Sequence, residues 1–176
     1  MKRVIVVQHD PRWGQAFVTA SREVTGAMGE NLVAIHHIGS TAIPGIWAKP
    51  VIDMLAVVAD IGAVDSCGAA MESLGYEVMG EFGIAGRRYF RRNDEKGVRT
   101  HQVHAFASGS HDVERHLAFR DFMRAHPDIA REYGELKRGL AERFPDDIES
   151  YMDGKDGFIK EMQARAMVWK EEAAEQ

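Results

Sequence analysis

The sequence predicts an α/β fold of the α+β type, in which a mixed β-sheet is flanked by helices and followed by a helical layer. Strand-like apolar runs alternate with helical segments up to residue 107. The run PVIDMLAVV, residues 50–58, is almost continuously apolar, which is typical of a central strand buried on both faces. From residue 110 onward, apolar residues recur at helical spacing. We therefore expect one domain over residues 1–176, with the sheet and two helices in 1–107 and a helical layer, 108–176, packed on them.

Local signals place the individual elements. Asp10 followed by Pro11 predicts the start of a first helix that continues to about residue 29, because Asp accepts hydrogen bonds at an N-cap and Pro suits the first helical position. Gly75 predicts the end of a second helix over residues 60–74. The expected strands are residues 4–7, 31–38, 50–59, 76–82, 87–93 and 98–106. The expected later helices are residues 111–125, 127–144 and 154–172.

Composition limits the classes of function. With 176 residues, 45% of them hydrophobic, the chain is long enough for one well-packed domain. A net charge of -5 with interspersed signs argues against bulk binding to nucleic-acid phosphates. Cys67, the single cysteine, excludes an internal disulfide. The apolar run at residues 4–7 is too short for a signal sequence or a membrane span, so we expect a cytoplasmic protein with no membrane partner.

A Gly-Ser-Thr turn lies between two strand-like runs in HHIGSTAIPGIWAKPVIDMLAVV, residues 36–58. Backbone N–H groups at such a turn lack intrahelical partners and can point together at an anion, and a Ser hydroxyl adds another donor. This pattern predicts a phosphate-type site at Gly39, Ser40 and Thr41. The alternative interpretation is a turn that only reverses the chain.

Asp53 lies in the strand that follows this turn. Two adjacent strands joined by a short excursion bring their ends to the same edge of a sheet, so we expect Asp53 near the turn. A carboxylate beside a phosphate loop suggests a divalent cation, because Mg²⁺ is commonly held by one or two carboxylates and substrate phosphate oxygens. The alternative is that Asp53 only caps the end of a strand.

Two neighbouring histidines and two lysines have both structural and functional interpretations. His36 and His37 point to opposite faces of their strand, so at most one of them can meet Asp53, and we take His37 as a further candidate metal ligand. Lys49 can neutralise a phosphate or be solvated beside its proline turn. Lys137 lies four residues after a tyrosine on one helix face, which we interpret as helix packing.

The stretch around the Gly-Ser-Thr turn and four later segments carry a resemblance to the GrpB family. The resemblance rests on HIGSTAIPGIWAKPVIDMLAV, GRRYFRRN, RTHQVHAF, LAFRDFMRAHPDIAREYGELKRGLA and the set Tyr151, Lys155, Phe158 and Ile159. It extends over nearly the whole chain. The family resembles the nucleotidyltransferase superfamily in fold and is generally described as of uncharacterised function, and some relatives are fused to a dephospho-coenzyme A kinase. The resemblance thus implies a nucleotidyltransferase-like mixed sheet.

The resemblance also implies roles for particular residues. Gly39 and Ser40 match the phosphate-loop pair of the superfamily, and Asp53 matches the first carboxylate of its paired motif. Leu55 occupies the place of the second carboxylate, two residues on and on the same face of the strand. His104 lies roughly where a third carboxylate is expected and is the candidate co-ligand. We expect Mg²⁺ or Mn²⁺ before Zn²⁺, although imidazole suits the softer ions better.

The resemblance adds Lys49 and Arg87 as candidate phosphate ligands. The resulting hypothesis is a metal-dependent, nucleotidyltransferase-like protein that binds a nucleotide or another phosphate-bearing small molecule, with Asp53 as the catalytic carboxylate. Because Leu55 replaces a carboxylate, a non-catalytic nucleotide- or phosphate-binding protein of the same fold is the main alternative. A metal-dependent phosphate-ester hydrolase is a third possibility.

Overall fold

The computed structural model describes residues 3–176 and contains a mixed five-stranded sheet together with five α-helices. This confirms the predicted α+β class. The α-helices are α1 Trp13–Met28, α2 Gly68–Ser73, α3 His111–Ala125, α4 Pro127–Arg143 and α5 Ile148–Ala174. The strands are β1 Leu32–Ile38, β2 Ile52–Val58, β3 Glu77–Val78, β4 Arg88–Asn93 and β5 Arg99–Ala107.

The strands lie in the order β1-β2-β5-β4-β3. The β2–β5 pair is parallel, and the other three pairs are antiparallel. Strand β2 is flanked by β1 and β5, and most of its residues are buried, which confirms the interior position that its continuous apolar run predicts. The register places Ile38 opposite Asp53, so the end of β1 lies beside the start of β2.

The chain divides into two compact units. The sheet unit consists of residues 12–42 and 51–114, and the helical unit consists of residues 3–11, 43–50 and 115–176. In the sheet unit, α1 packs on β1 and β2. In the helical unit, segments of α3, α4 and α5 enclose an apolar core formed by Ile43, Ile46, Ala118, Phe122, Met123, Ala130, Tyr133, Met162 and Ala166. The prediction of a single domain stays a prediction.

Four predicted elements differ from the structure. Residues 4–7 form no strand, and Val7 makes only an isolated bridge to Ala48. Residues 60–74 form a 3₁₀ helix, Gly62–Cys67, before the short α2. The strand expected at residues 76–82 shrinks to β3, because the chain turns with positive φ at Gly80 and Phe82. Helix α5 begins six residues before its predicted start, where Asp147 accepts a hydrogen bond from the Ser150 N–H at 3.1 Å.

Within residues 3–176, no helix has the length and apolar character needed to cross a bilayer.

Candidate functional site

The loop after β1 lies in contact with the first carboxylate of β2. Gly39 has a φ of +74°, and a 3₁₀ turn, Ser40–Ala42, follows it. A β-carbon added at Gly39 would lie 2.6 Å from Oδ2 of Asp53, so the close approach requires glycine. The structure therefore brings together the loop and the carboxylate as the sequence predicts. Gly39, Ser40 and Asp53 are each only partly buried, which leaves them accessible to a ligand.

A chain of hydrogen bonds connects Asp53 through His104 to Arg87. Nε2 of His104 lies 3.3 Å from Oδ1 of Asp53, and Nδ1 of His104 lies 3.3 Å from Nη1 of Arg87. A guanidinium group can only donate, so Nδ1 of His104 accepts and the proton of the neutral ring is on Nε2. His104 therefore donates to Asp53. The ring of Tyr89 stacks on His104, with ring centroids 5.3 Å apart, and fixes its plane.

Arg87 contacts the protein with each of its three guanidinium nitrogens. Besides the contact with His104, Nε donates to the carbonyl oxygen of Glu81 at 3.2 Å and Nη2 donates to that of Phe82 at 2.9 Å. The side chain is buried, and burial lowers the pKa of Arg87, while the nearby Tyr89 raises it. The geometry supports a positioning role for Arg87 rather than the predicted role as a phosphate ligand.

The donor set does not fit a metal ion held by the protein alone. To bind a metal through Nε2, His104 would have to present a lone pair there, but that nitrogen carries the proton donated to Asp53. Leu55, in the place of the second carboxylate, is fully buried. The part of the chain that the structure describes contains no group of three His, Cys, Asp or Glu side chains suited to a metal. Asp53 is then the carboxylate on which a cation at this loop would depend, together with oxygens of a ligand.

His37 lies on the opposite face of the sheet from Asp53. It pairs with Met54, its ring stacks on Phe17 of α1 at 4.8 Å, and its Nε2 is 2.9 Å from the hydroxyl of Thr41. We therefore withdraw His37 as a candidate metal ligand. Of the two neighbouring histidines, it is His36 that lies beside Leu55 and shares the face of Asp53.

The side chain of Thr41 also serves the fold. Its hydroxyl donates to the carbonyl oxygen of Val51 at 3.0 Å and is 2.9 Å from Nε2 of His37, and the residue is buried. These contacts tie the 3₁₀ turn to the segment that precedes β2. Thr41 shapes the loop, so a contact with a ligand phosphate would fall to the backbone and to Ser40.

Lys49 belongs to the helical unit, where its ammonium group lies 4.8 Å from the centre of the Tyr151 ring. Lys155 lies over the same ring at 5.0 Å. In this unit Lys137 is 1% exposed, so it packs inside the unit, as the interpretation from sequence expects. A lysine on the apolar face of α4, four residues after Tyr133, was the signal that could have marked it as a functional candidate.

Comparisons with known proteins give a consistent picture. The family described as GrpB protein matches residues 3–165. UPF0157 protein YqkA of Bacillus subtilis is 45% identical over 169 residues, which cover 96% of this chain and 49% of that protein. A UPF0157 protein of Pseudomonas aeruginosa is 37% identical, over 94% of this chain and 68% of its own length. The chain thus spans only about half the length of the Bacillus relative.

Solved structures extend the comparison to fold. The crystal structure of conserved protein GrpB from Enterococcus faecalis has a TM-score of 0.90 and 42% identity, covering 94% of this chain and 99% of that one. The Cid1 poly(U) polymerase has a TM-score of 0.53 at 8% identity, over 77% of this chain and 43% of that chain. Terminal uridylyl transferase 4 from Trypanosoma brucei, with bound dUTP, has a TM-score of 0.52 at 11% identity, over 77% and 46%. At such low identity the last two show a nucleotidyltransferase-like fold alone.

Proposed function

The chain belongs to the GrpB family, and from that premise we propose that it binds a nucleotide or another phosphate-bearing small molecule at the Gly39–Ser40 loop. The observation that carries the proposal is the contact between Gly39 and Asp53. It puts N–H groups at the start of a helical turn next to a carboxylate that His104 orients.

A divalent cation completes this proposal. A ligand phosphate and the carboxylate of Asp53 would repel each other at close range, so binding at the loop calls for a positive charge between them. Mg²⁺ or Mn²⁺ held by Asp53 would supply that charge, and both ions accept an all-oxygen ligand set. Asp53 would hold the ion, and Arg87 and His104 would hold Asp53.

Binding is supported better than group transfer. Transfer of a nucleotidyl group by two metal ions uses several carboxylates, and here Leu55 is buried where the second one would stand. Metal-dependent nucleotidyl transfer is the second candidate, favoured by the fold shared with the Cid1 poly(U) polymerase. Phosphate-ester hydrolysis has no comparable support, because the proton on Nε2 of His104 opposes a histidine-and-aspartate metal site.

The test is a calorimetric titration of the protein with nucleoside triphosphates, with and without Mg²⁺ or Mn²⁺. For Asp53→Asn we expect opposite effects in the two conditions. With metal, affinity falls because the charge that holds the ion is gone, and without metal, affinity rises because the repulsion of the phosphates is gone. Ser40→Ala weakens binding in both conditions, since it removes a hydroxyl donor.

Glu95→Gln is the matched control, because it removes one exposed carboxylate of the same unit without touching the loop. Asp53→Asn behaving like Glu95→Gln in both conditions would refute the metal-bridged site. Release of pyrophosphate from a nucleoside triphosphate by the wild type, but not by Asp53→Asn, would favour the transfer candidate instead.

A further inference from the structure

Lys137, near the middle of α4, carries a buried amino group without a hydrogen-bond partner. The residue is 1% exposed, and Nζ finds no donor or acceptor partner among residues 3–176. Nζ lies over the ring of Tyr133, 4.3 Å from the ring centre. Lysine is almost never fully buried unless it is paired, because taking an ammonium group out of water is costly. The position therefore needs an explanation beyond packing.

Two more lysines of the same unit lie close to it. Lys49 and Lys155 flank the ring of Tyr151 at 4.8 and 5.0 Å from its centre. Burial is the main cause that lowers the pKa of Lys137, to about 6, and the positive charges of Lys155 and Lys49 lower it further. Three amino groups thus converge in one region of the helical unit, where like charges oppose one another.

The hydroxyl of Tyr151 adds a second buried polar group without a partner. The residue is fully buried, and its oxygen makes no hydrogen bond within the described chain. Burial raises the pKa of Tyr151, so the hydroxyl stays protonated and able to donate. Buried polar groups normally have a hydrogen-bond partner. This hydroxyl belongs to the ring that Lys49 and Lys155 contact.

Aromatic contacts alone do not account for this arrangement. Cation–π contacts let an ammonium group rest on a ring, but they leave its N–H donors unsatisfied when it is buried. An anion with several acceptor oxygens would give the amino group of Lys137 and the hydroxyl of Tyr151 the hydrogen-bond partner that each lacks, and it would favour the charged form of Lys137.

We propose that Lys49, Lys137, Lys155 and the hydroxyl of Tyr151 form a binding site for a multiply charged oxyanion of the phosphate class. The lysines serve as point-charge donors, and Tyr151 donates one hydrogen bond. Nucleotide phosphates and inorganic polyphosphate share this chemistry. All four residues belong to the helical unit, so the site does not depend on what the Gly39–Ser40 loop binds.

Occupation of the site changes the protonation of Lys137. Before an anion binds, its amino group is largely neutral at neutral pH, because burial and the nearby charges of Lys155 and Lys49 lower its pKa to about 6. A bound anion favours the charged form and raises that pKa. Binding is therefore accompanied by proton uptake, and affinity increases as the pH falls from mildly alkaline to neutral values.

The probe is sulfate, which stays a dianion around neutral pH, so any proton taken up comes from the protein. We expect calorimetric titrations of the full chain in two buffers of different ionisation enthalpy to reveal net proton uptake. Lys137→Met should remove that uptake and weaken sulfate and tripolyphosphate binding by about tenfold or more, because charge-assisted hydrogen bonds are lost. Lys160→Met is the control, since Lys160 is an exposed lysine of α5 paired with Asp156.

Lys155→Met provides a second variant that tests the site at a half-buried position, and it too should weaken binding. The proposal would be overturned if Lys137→Met and Lys155→Met bound the anions as well as Lys160→Met does, or if the wild type bound sulfate without proton uptake.

Tighter binding of a nucleoside triphosphate than of tripolyphosphate would identify the source as a nucleotide, and equal binding would identify the polyphosphate group alone. Intact sulfate binding in Ser40→Ala and Asp53→Asn, with nucleotide binding at the loop absent, would remove the proposed function and leave this site standing.

Discussion

Gly39 packs directly against the side chain of Asp53: a β-carbon at position 39 would lie 3.1 Å from Cβ and 2.6 Å from Oδ2 of Asp53. The backbone of Gly39 also has a φ of +74°, a conformation that residues other than glycine rarely adopt. Two separate constraints thus act at one residue: backbone conformation and space. The contact ties the loop after β1 to the carboxylate of β2.

Gly39→Ala separates the two constraints when it is compared with Gly97→Ala. Gly97 has a similar φ of +79° but nothing within 4 Å of an added β-carbon, so its substitution measures conformational strain alone. We expect Gly97→Ala to lower the free energy of unfolding by about 1–2 kcal/mol. Gly39→Ala should cost more than that, because Asp53 must also move, and urea denaturation measures both. Equal losses would show that the contact with Asp53 is not tight.

Arg87→Met tests the hydrogen-bond chain that ends on Asp53. Removing the guanidinium frees Nδ1 of His104, so its proton is no longer confined to Nε2, and ¹⁵N chemical shifts of the ring should change from one tautomer to a mixture. The carbonyl oxygens of Glu81 and Phe82 lose their donor, which should lower the free energy of unfolding by about 1–3 kcal/mol.

Arg91→Met is the control for that experiment. Arg91 lies on β4, the strand that follows Arg87, and pairs with the exposed Glu77 at 2.8 Å. Arg91→Met should leave the His104 tautomer unchanged. A wild-type ring protonated on Nδ1 would contradict the direction assigned to the hydrogen bonds.

Sequence patterns predicted the sheet and the loop well, because both depend on local signals. A continuous apolar run marked β2, and a glycine between two apolar runs marked the loop that contacts Asp53. The choice between His36 and His37 could not be made in this way. Alternation shows only that they face opposite sides, and it is the antiparallel register of β1 on β2 that puts His37 beside Met54 and against α1.

The convergence of Lys49, Lys137 and Lys155 could not be predicted from the sequence for a different reason. Helical periodicity correctly placed Tyr133 and Lys137 on one face of α4. Periodicity does not tell whether that face is covered, or that Lys155 from α5 and Lys49 from a separate segment approach the same region. Long-range packing decides those points. Likewise, the sequence marked Arg87 as a candidate, but its hydrogen bonds to Glu81, Phe82 and His104 are visible only in the fold.

Gly134→Ala and Gly139→Ala make a matched pair on α4. A β-carbon at Gly134 would lie 2.9 Å from the backbone N of Trp47 and 3.0 Å from Cβ of Ile46, so we expect a loss of about 1–3 kcal/mol from overpacking. Gly139 is exposed with nothing within 4 Å, and alanine there should add roughly 0.5–1 kcal/mol of stability, as expected for an exposed helix position. Thermal denaturation compares them, and a stabilising Gly134→Ala would refute the close packing.

Lys137→Met should change how stability depends on pH. The pKa of Lys137 is lowered from 10.5 to about 6 in the folded chain, so between these values the unfolded state binds a proton that the folded state lacks. The free energy of unfolding of the wild type therefore rises with pH in this window and falls as the pH decreases, by at most about 1.4 kcal/mol per pH unit from this group.

Methionine at position 137 has no proton to gain or lose. Without added anions, Lys137→Met should be more stable than the wild type at about pH 7, and its advantage should shrink toward about pH 9. Urea denaturation of both proteins across this range, with Lys160→Met as the control, measures the difference. Parallel pH profiles would show that Lys137 keeps its ordinary protonation and is not isolated from solvent.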